Sequence, residues 1–133
     1  MNLFSRSKKK GKCVLVADDV STIRAIVSQV FRAAGYKVLE ARNGEEVLQL
    51  VQNEVPDLIV MDVNMPRKTG IEALTELRQD ERFASTTVVM LTGDADRDTL
   101  LKAASLNIAD FILRDNLGNV TSKLQKHIEV DEE

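Results

Sequence analysis

The chain has 133 residues, 44% of them hydrophobic and 29% charged, the size and composition of one globular domain with a single core flanked by helices. Its formal net charge of −3 and pI near 5.3 argue against general attraction to nucleic acid or to an anionic membrane, and for a local site that meets a protein partner. No apolar run approaches the ~20 residues of a membrane helix, and Met1 to Lys12 lack the apolar segment of a signal peptide, so the expected location is cytoplasmic.

Met1 to Gly11 is polar and basic, with Lys8, Lys9 and Lys10 in a row, and reads as a flexible arm over residues 1–11. Lys12 to Ala17 predicts a first strand that runs into Asp18 and Asp19. It contains the lone Cys13, which can form no internal disulfide and reads as a buried small hydrophobe in a reducing compartment. From Val20 to Ala34, Ile23, Ile26, Val27, Val30 and Phe31 recur at helical spacing, with Ser21 as a cap near the start and Gly35 as the stop. Tyr36 to Ala41 reads as a second strand, and Asn43-Gly44 leads into a helix carrying Val47, Leu48, Leu50 and Val51. Val55-Pro56-Asp57 closes that helix, because proline cannot continue it and restrains the residue before it.

A third strand, Leu58 to Met61, runs into Asp62. The loop from Met65-Pro66 to Thr69-Gly70 precedes a helix holding Ile71, Leu74 and Leu77. A fourth strand near Thr87 to Leu91 runs into Thr92, and Asp94 is the expected cap of a helix that contains Leu100, Leu101 and Ala104. The fifth strand, about Asp110 to Leu113, runs into Arg114. A last helix spreads Leu117, Val120, Leu124 and Ile128 along one face before the acidic tail, residues 131–133.

Strands that read as near-continuous apolar runs are buried on both faces, as in parallel sheets covered by helices. Their alternation with helices predicts an open, doubly wound α/β fold with five parallel strands and five helices. In such sheets ligands bind beyond the carboxyl ends of the strands, where Asp18, Asp19, Asp62, Thr92 and Arg114 fall. Magnesium takes one or two carboxylates together with water and phosphate oxygens. Asp19 and Asp62 suit that role, with Asp18 holding a metal-bound water; without a cation the clustered carboxylates repel and at least one pKa should rise. Asp62, on the central strand, is the candidate nucleophile for an acyl phosphate, and Thr92 and Arg114 are placed to neutralise the phosphoryl oxygens.

From about Cys13 to Val130 the chain resembles a response-regulator receiver domain of bacterial two-component signalling, so that residues 12–130 are the expected domain. The likeness rests on Asp18-Asp19, on Asp62-Val63-Asn64-Met65-Pro66 followed by Gly70, on Leu91-Thr92-Gly93 and on Ala109-Asp110-Phe111-Ile112, in that order and spacing. The resemblance implies a flavodoxin-like sheet with strand order 2-1-3-4-5, an order that belongs to the family and is not read from this chain's pattern. It implies that Asp62 takes a phosphoryl group from a phosphohistidine on a sensor histidine kinase or phosphotransfer protein. Asp18, Asp19, Asp62 and the Asn64 backbone carbonyl would hold Mg2+, and Thr92 and Phe111 would act as the switch pair. Asn64 and Asp94 occupy the positions that tune phosphoryl lifetime. The product of the reaction is a changed protein-binding face, formed by the helix near Asp94 to Ala104, the fifth strand and the last helix, so that the chain is a signalling switch with slow self-dephosphorylation and not an enzyme. If the chain is complete, its output is contact with a separate protein effector.

One departure stands out: Arg114-Asp115 replaces the family's Lys-Pro pair. Arginine keeps the charge but presents a longer, planar fork. A trans bond is expected before Asp115, since a cis bond without proline costs roughly 2.5–4 kcal/mol. Asp115 also adds negative charge that would weaken phosphoryl binding or hold Arg114 away from the site until metal binds. This departure motivates the alternative of a receiver-like binding module that phosphorylation does not regulate. A haloacid-dehalogenase-type phosphatase would need a second acid where Asn64 stands, and a flavodoxin-like flavin site would place phosphate against Asp18-Asp19, which repels it. His127, the single histidine, is expected to be solvated on the last helix.

Overall fold

Alternate residues along the central strands meet different helices, which is why those strands read as nearly continuous apolar runs. A computed structural model describes residues 11–93 and 96–128. Strands β1 (Cys13–Ala17), β2 (Lys37–Ala41), β3 (Leu58–Asp62), β4 (Thr87–Thr92) and β5 (Asp110–Leu113) form one parallel sheet in the order β2-β1-β3-β4-β5. The helices are α1 (Ser21–Ala33), α2 (Gly44–Asn53), α3 (Gly70–Arg78), α4 (Arg97–Ser105) and α5 (Leu117–Gln125). On one face Val14, Val16, Val60, Val89 and Leu91 pack with Val27 and Phe31 of α1 and with Val120 and Leu124 of α5. On the other, Leu15, Ile59, Met61, Val88 and Met90 pack with side chains of α2, α3 and Ala103 of α4. This is the expected doubly wound flavodoxin-like fold, with β3 at its centre.

The structure corrects several local expectations. Ser21 is not the cap of α1; Val20 holds that position without a side-chain bond. Asp18 Oδ1 accepts the amide of Val20 itself at 2.9 Å, which fixes the entry to the helix without capping its first turn. The cap of α4 is Asp96 and not Asp94, because Asp96 lies three residues before Thr99 and accepts its amide at 2.9 Å; Asp94 itself lies outside the described residues. Tyr36 precedes β2, since its amide closes the end of α1 on the Phe31 carbonyl and its ring meets Phe31 edge-on at 5.3 Å. A 3₁₀ turn at Glu81–Phe83 was not anticipated. Ile128 falls beyond α5 yet still packs on the core. His127 is half-buried, and Nε2 lies 3.0 Å from Asp110 Oδ2, so the ring pairs across to β5 where solvation was expected.

Two buried polar groups carry simple consequences. Burial, with Glu54 adding to it, pushes the Cys13 thiol up to about 12, in keeping with an inert core cysteine. Ser28 on α1 is fully buried and its Oγ has no hydrogen-bond partner. Ser28→Ala removes that orphan and favours the helix, so it is expected to stabilise the fold by about 1 kcal/mol in urea unfolding.

A candidate acidic metal and phosphoryl site

The ends of β1, β3 and β4 bring the expected residues to one edge of the sheet. Asp62 is the last residue of β3 and is completely buried. Its backbone is gripped from below and beside: Val63 donates to the Leu91 carbonyl at 2.8 Å, and Gly70 at the start of α3 donates to the Val63 carbonyl at 2.9 Å. Gly70 is needed for that approach, because a Cβ there would lie 2.2 Å from the Asp62 carbonyl oxygen. Asp18, 1% exposed, follows β1 and is fixed by its own amide on Ala41 and by the Arg24 guanidinium on its carbonyl at 2.7 Å. Arg24 had no signature in the sequence, since its partner lies across the loop that opens α1.

Oxygens of Asp18, Asp19 and Asp62 all lie within 4.8 Å of one another. Asp19 is exposed, which leaves the cluster open to solvent on that side. Burial and then the neighbouring Asp18 carboxylate push the Asp62 carboxyl up to about 7, against the pull of Arg114. Asp18 is also raised, chiefly by burial. The rise anticipated for clustered acids is therefore present, and it falls on the acid with the least access to water.

Arg114 follows β5 and its backbone amide donates to the Thr92 carbonyl at 2.6 Å. Its Nη1 donates to Asp18 at 2.9 and 3.1 Å and to Asp62 Oδ2 at 3.4 Å. The expectation that Asp115 could hold this arginine away is corrected. Asp115 is exposed, whereas Asp18 and Asp62 are buried, and charge acts more strongly where water is excluded. Burial alone would lower the Arg114 pKa, but the fields of Asp62 and Asp18 outweigh it and raise it. Gly93 lies beside the fork, and a Cβ there would make only an ordinary contact, 3.6 Å from Arg114 Nη2. The described peptide bonds include no cis bond, so the bond before Asp115 is trans as expected.

Thr92 ends β4 and is fully buried. Phe111 on β5 is partly buried, in register with Met90 and packed against the core cluster that includes Ala103 of α4. Asn64 is exposed in the loop after β3. Asp62 Oδ1 is buried with no hydrogen-bond partner, and such an oxygen beside two other carboxylates is suited to a cation. The all-oxygen donor set fits a hard divalent ion such as Mg2+.

Comparison with known proteins agrees with this geometry. The model of the response regulator receiver domain matches residues 14–125, a span that takes in every strand-tip residue described above. The Chemotaxis protein CheY of Pseudomonas aeruginosa is 34% identical over 102 residues, covering 76% of this chain and 82% of that protein. The Phosphate regulon transcriptional regulatory protein PhoB of the same organism is 31% identical over 104 residues, but the match spans only 45% of its length. The solved structure of the chemotaxis response regulator CheY4 of Vibrio cholerae superposes with a TM-score of 0.77 at 30% identity, over 86% of this chain and 97% of that one. With the sheet order, the acidic strand tips and the matched span all in agreement, the chain belongs to the response-regulator receiver domains of two-component systems.

Proposed function

We propose that this receiver domain accepts a phosphoryl group on Asp62, in a magnesium-dependent reaction, from a phosphohistidine of a sensor histidine kinase or phosphotransfer protein. The observation that carries the reading is the buried Asp62 at the tip of the central strand, with Oδ1 unpartnered and Arg114 at Oδ2. Asp18, Asp19, Asp62 and the Asn64 carbonyl would hold the ion, which when bound neutralises the carboxylates and the phosphoryl oxygens. An Asp62 oxygen attacks phosphorus, the O–P bond forms, the N–P bond breaks, and its electron pair stays on the imidazole nitrogen, which takes up a proton. The Thr92 hydroxyl, as a hydrogen-bond donor, and the Arg114 guanidinium, as a cation, would stabilise the remaining negative charge on the equatorial oxygens.

The protein is a switch: a shift of Thr92 and Phe111 would re-set the surface of α4, β5 and α5 for a downstream protein effector. Asn64 and Asp94 would govern how soon water removes the phosphoryl group. The domain is taken as residues 12–130; the basic arm 1–11 and the acidic tail 131–133 lie almost wholly outside the described residues. No helix among the described residues is long and apolar enough to cross a membrane, and a cytoplasmic site of action is proposed.

Incubation with a small acyl phosphate and Mg2+, followed by peptide mapping, tests the reading. A phosphoryl group on the peptide containing Asp62, lost in Asp62→Asn and when the ion is chelated, is the expected result. An unmodified wild-type chain at saturating donor would instead favour a receiver-like binding module that phosphate does not regulate.

A further inference from the structure

Helix α4 has few apolar holds. Ala103 is its one fully buried side chain, while Leu100 and Leu101 are exposed. Its C-terminal end is fastened differently. Arg78, the last residue of α3, donates from Nε to the Leu106 carbonyl at 2.8 Å and from Nη2 to the Asn107 carbonyl at 3.1 Å. Nη1 of the same guanidinium donates to the Phe83 carbonyl at 2.8 Å and to that of Ala84 at 3.3 Å. No carboxylate pairs with Arg78 among the described residues, so these carbonyls alone receive its charge.

The chemistry suits a fixed joint. The last carbonyls of a helix carry the negative end of its dipole, and a cation there both satisfies and attracts them. Hydrogen bonds from an ionised donor are roughly twice as strong as neutral ones. Asn107 has a φ of 61° and turns the chain from α4 towards β5, a conformation that asparagine tolerates better than most residues. One planar group with several donors in a rigid fork thus ties the end of α3, the end of the 3₁₀ turn and the end of α4. A lysine at this position could not span all of these carbonyls.

We infer that Arg78 is a positioning residue that makes the C-terminal end of α4 a pivot. A displacement arising at Thr92 would then tilt the helix about Leu106 and Asn107 and not release it from the domain. The functional half of this inference rests on the reading of α4 as part of the switched face; the pinning itself does not.

Amide hydrogen exchange on the whole chain tests the pinning, using wild type, Arg78→Ala and Arg78→Lys, with global stability measured for each. In Arg78→Ala the α4 amides are expected to exchange at least tenfold faster than any change in global stability accounts for, and in Arg78→Lys by a smaller factor. Amides of β1, β3 and α1 should follow global stability alone. Uniform acceleration in all elements, or none in α4, overturns the assignment. If Arg78→Ala does not fold, Arg78→Lys decides the matter by the same comparison.

Beryllofluoride with Mg2+ then tests the coupling. In wild type, amide signals beside Asp62 and along α4 should both move. In Arg78→Lys the signals beside Asp62 should still move while the α4 response shrinks, and an undiminished α4 response contradicts the pivot. A wild-type chain that responds nowhere would instead count against phosphorylation at Asp62, leaving the exchange result to decide the pinning.

Discussion

Above about pH 7 the metal-free Asp62→Asn variant is expected to be more stable than the wild type, by about 1–3 kcal/mol in urea unfolding. In the fold the Asp62 carboxyl is pushed up to about 7, by burial and then by Asp18; in the unfolded chain it titrates near ~4. Below about pH 4 both states hold the proton and the site costs nothing. As pH rises from there to about 7 the unfolded chain ionises first, so stability falls, and above that window the full penalty remains. Asp18, also raised, acts in the same direction. Asparagine has no proton to lose, and its gain is reduced by the weakened contact to Arg114. The difference between variant and wild type should therefore shrink towards zero near pH 4. Carboxylates lowered by their partners, such as Asp110 beside His127, contribute the opposite trend at more acidic pH. A wild type whose metal-free stability rises steadily from about pH 5 to pH 8 would contradict a raised acid at Asp62.

Gly70→Ala should be among the most damaging single changes in the chain, costing about 3 kcal/mol or more and weakening divalent binding with it. The added methyl would lie 2.2 Å from the Asp62 carbonyl oxygen and 3.1 Å from Met90 Cε. The first of these neighbours is backbone of a fully buried strand and cannot turn aside. Either α3 lifts from the end of β3, losing the bond from Gly70 to the Val63 carbonyl, or the tip carrying Asp62 moves. Gly93→Ala is a useful control: its methyl would meet only Arg114 Nη2, at an ordinary contact distance of 3.6 Å. Urea unfolding that shows Gly70→Ala no worse than Gly93→Ala would contradict the close packing described here.

The strand tips were legible because they depend on short-range pattern. Val14 to Ala17 and Leu58 to Met61 are apolar at every position, since α1 and α5 cover one face and α2 to α4 the other. Once such strands are parallel neighbours, Asp18, Asp62 and Thr92 have to share an edge. What pattern could not reveal depends on partners distant in the chain. The direction of Arg114 is decided by Asp18 and Asp62, 96 and 52 residues away, against the adjacent but solvated Asp115. Arg78 reads as an ordinary basic residue near a helix end until the carbonyls of Leu106 and Asn107 are brought over it. The caps failed for a milder reason. Ser21 and Asp94 are good capping residue types, but α4 starts two positions beyond Asp94, where Asp96 reaches the Thr99 amide, and the cap position of α1 falls on Val20, which makes no side-chain bond; only backbone geometry distinguishes them.

Calorimetric titration of the wild-type chain with Mg2+ at about pH 6 and about pH 8 tests the shared carboxylate site most directly. If Asp62 must give up its proton to admit the ion, one ion should bind per chain, roughly tenfold tighter at the higher pH, with proton release at the lower one. Binding that ignores pH, or that survives undiminished in Asp62→Asn, would contradict it.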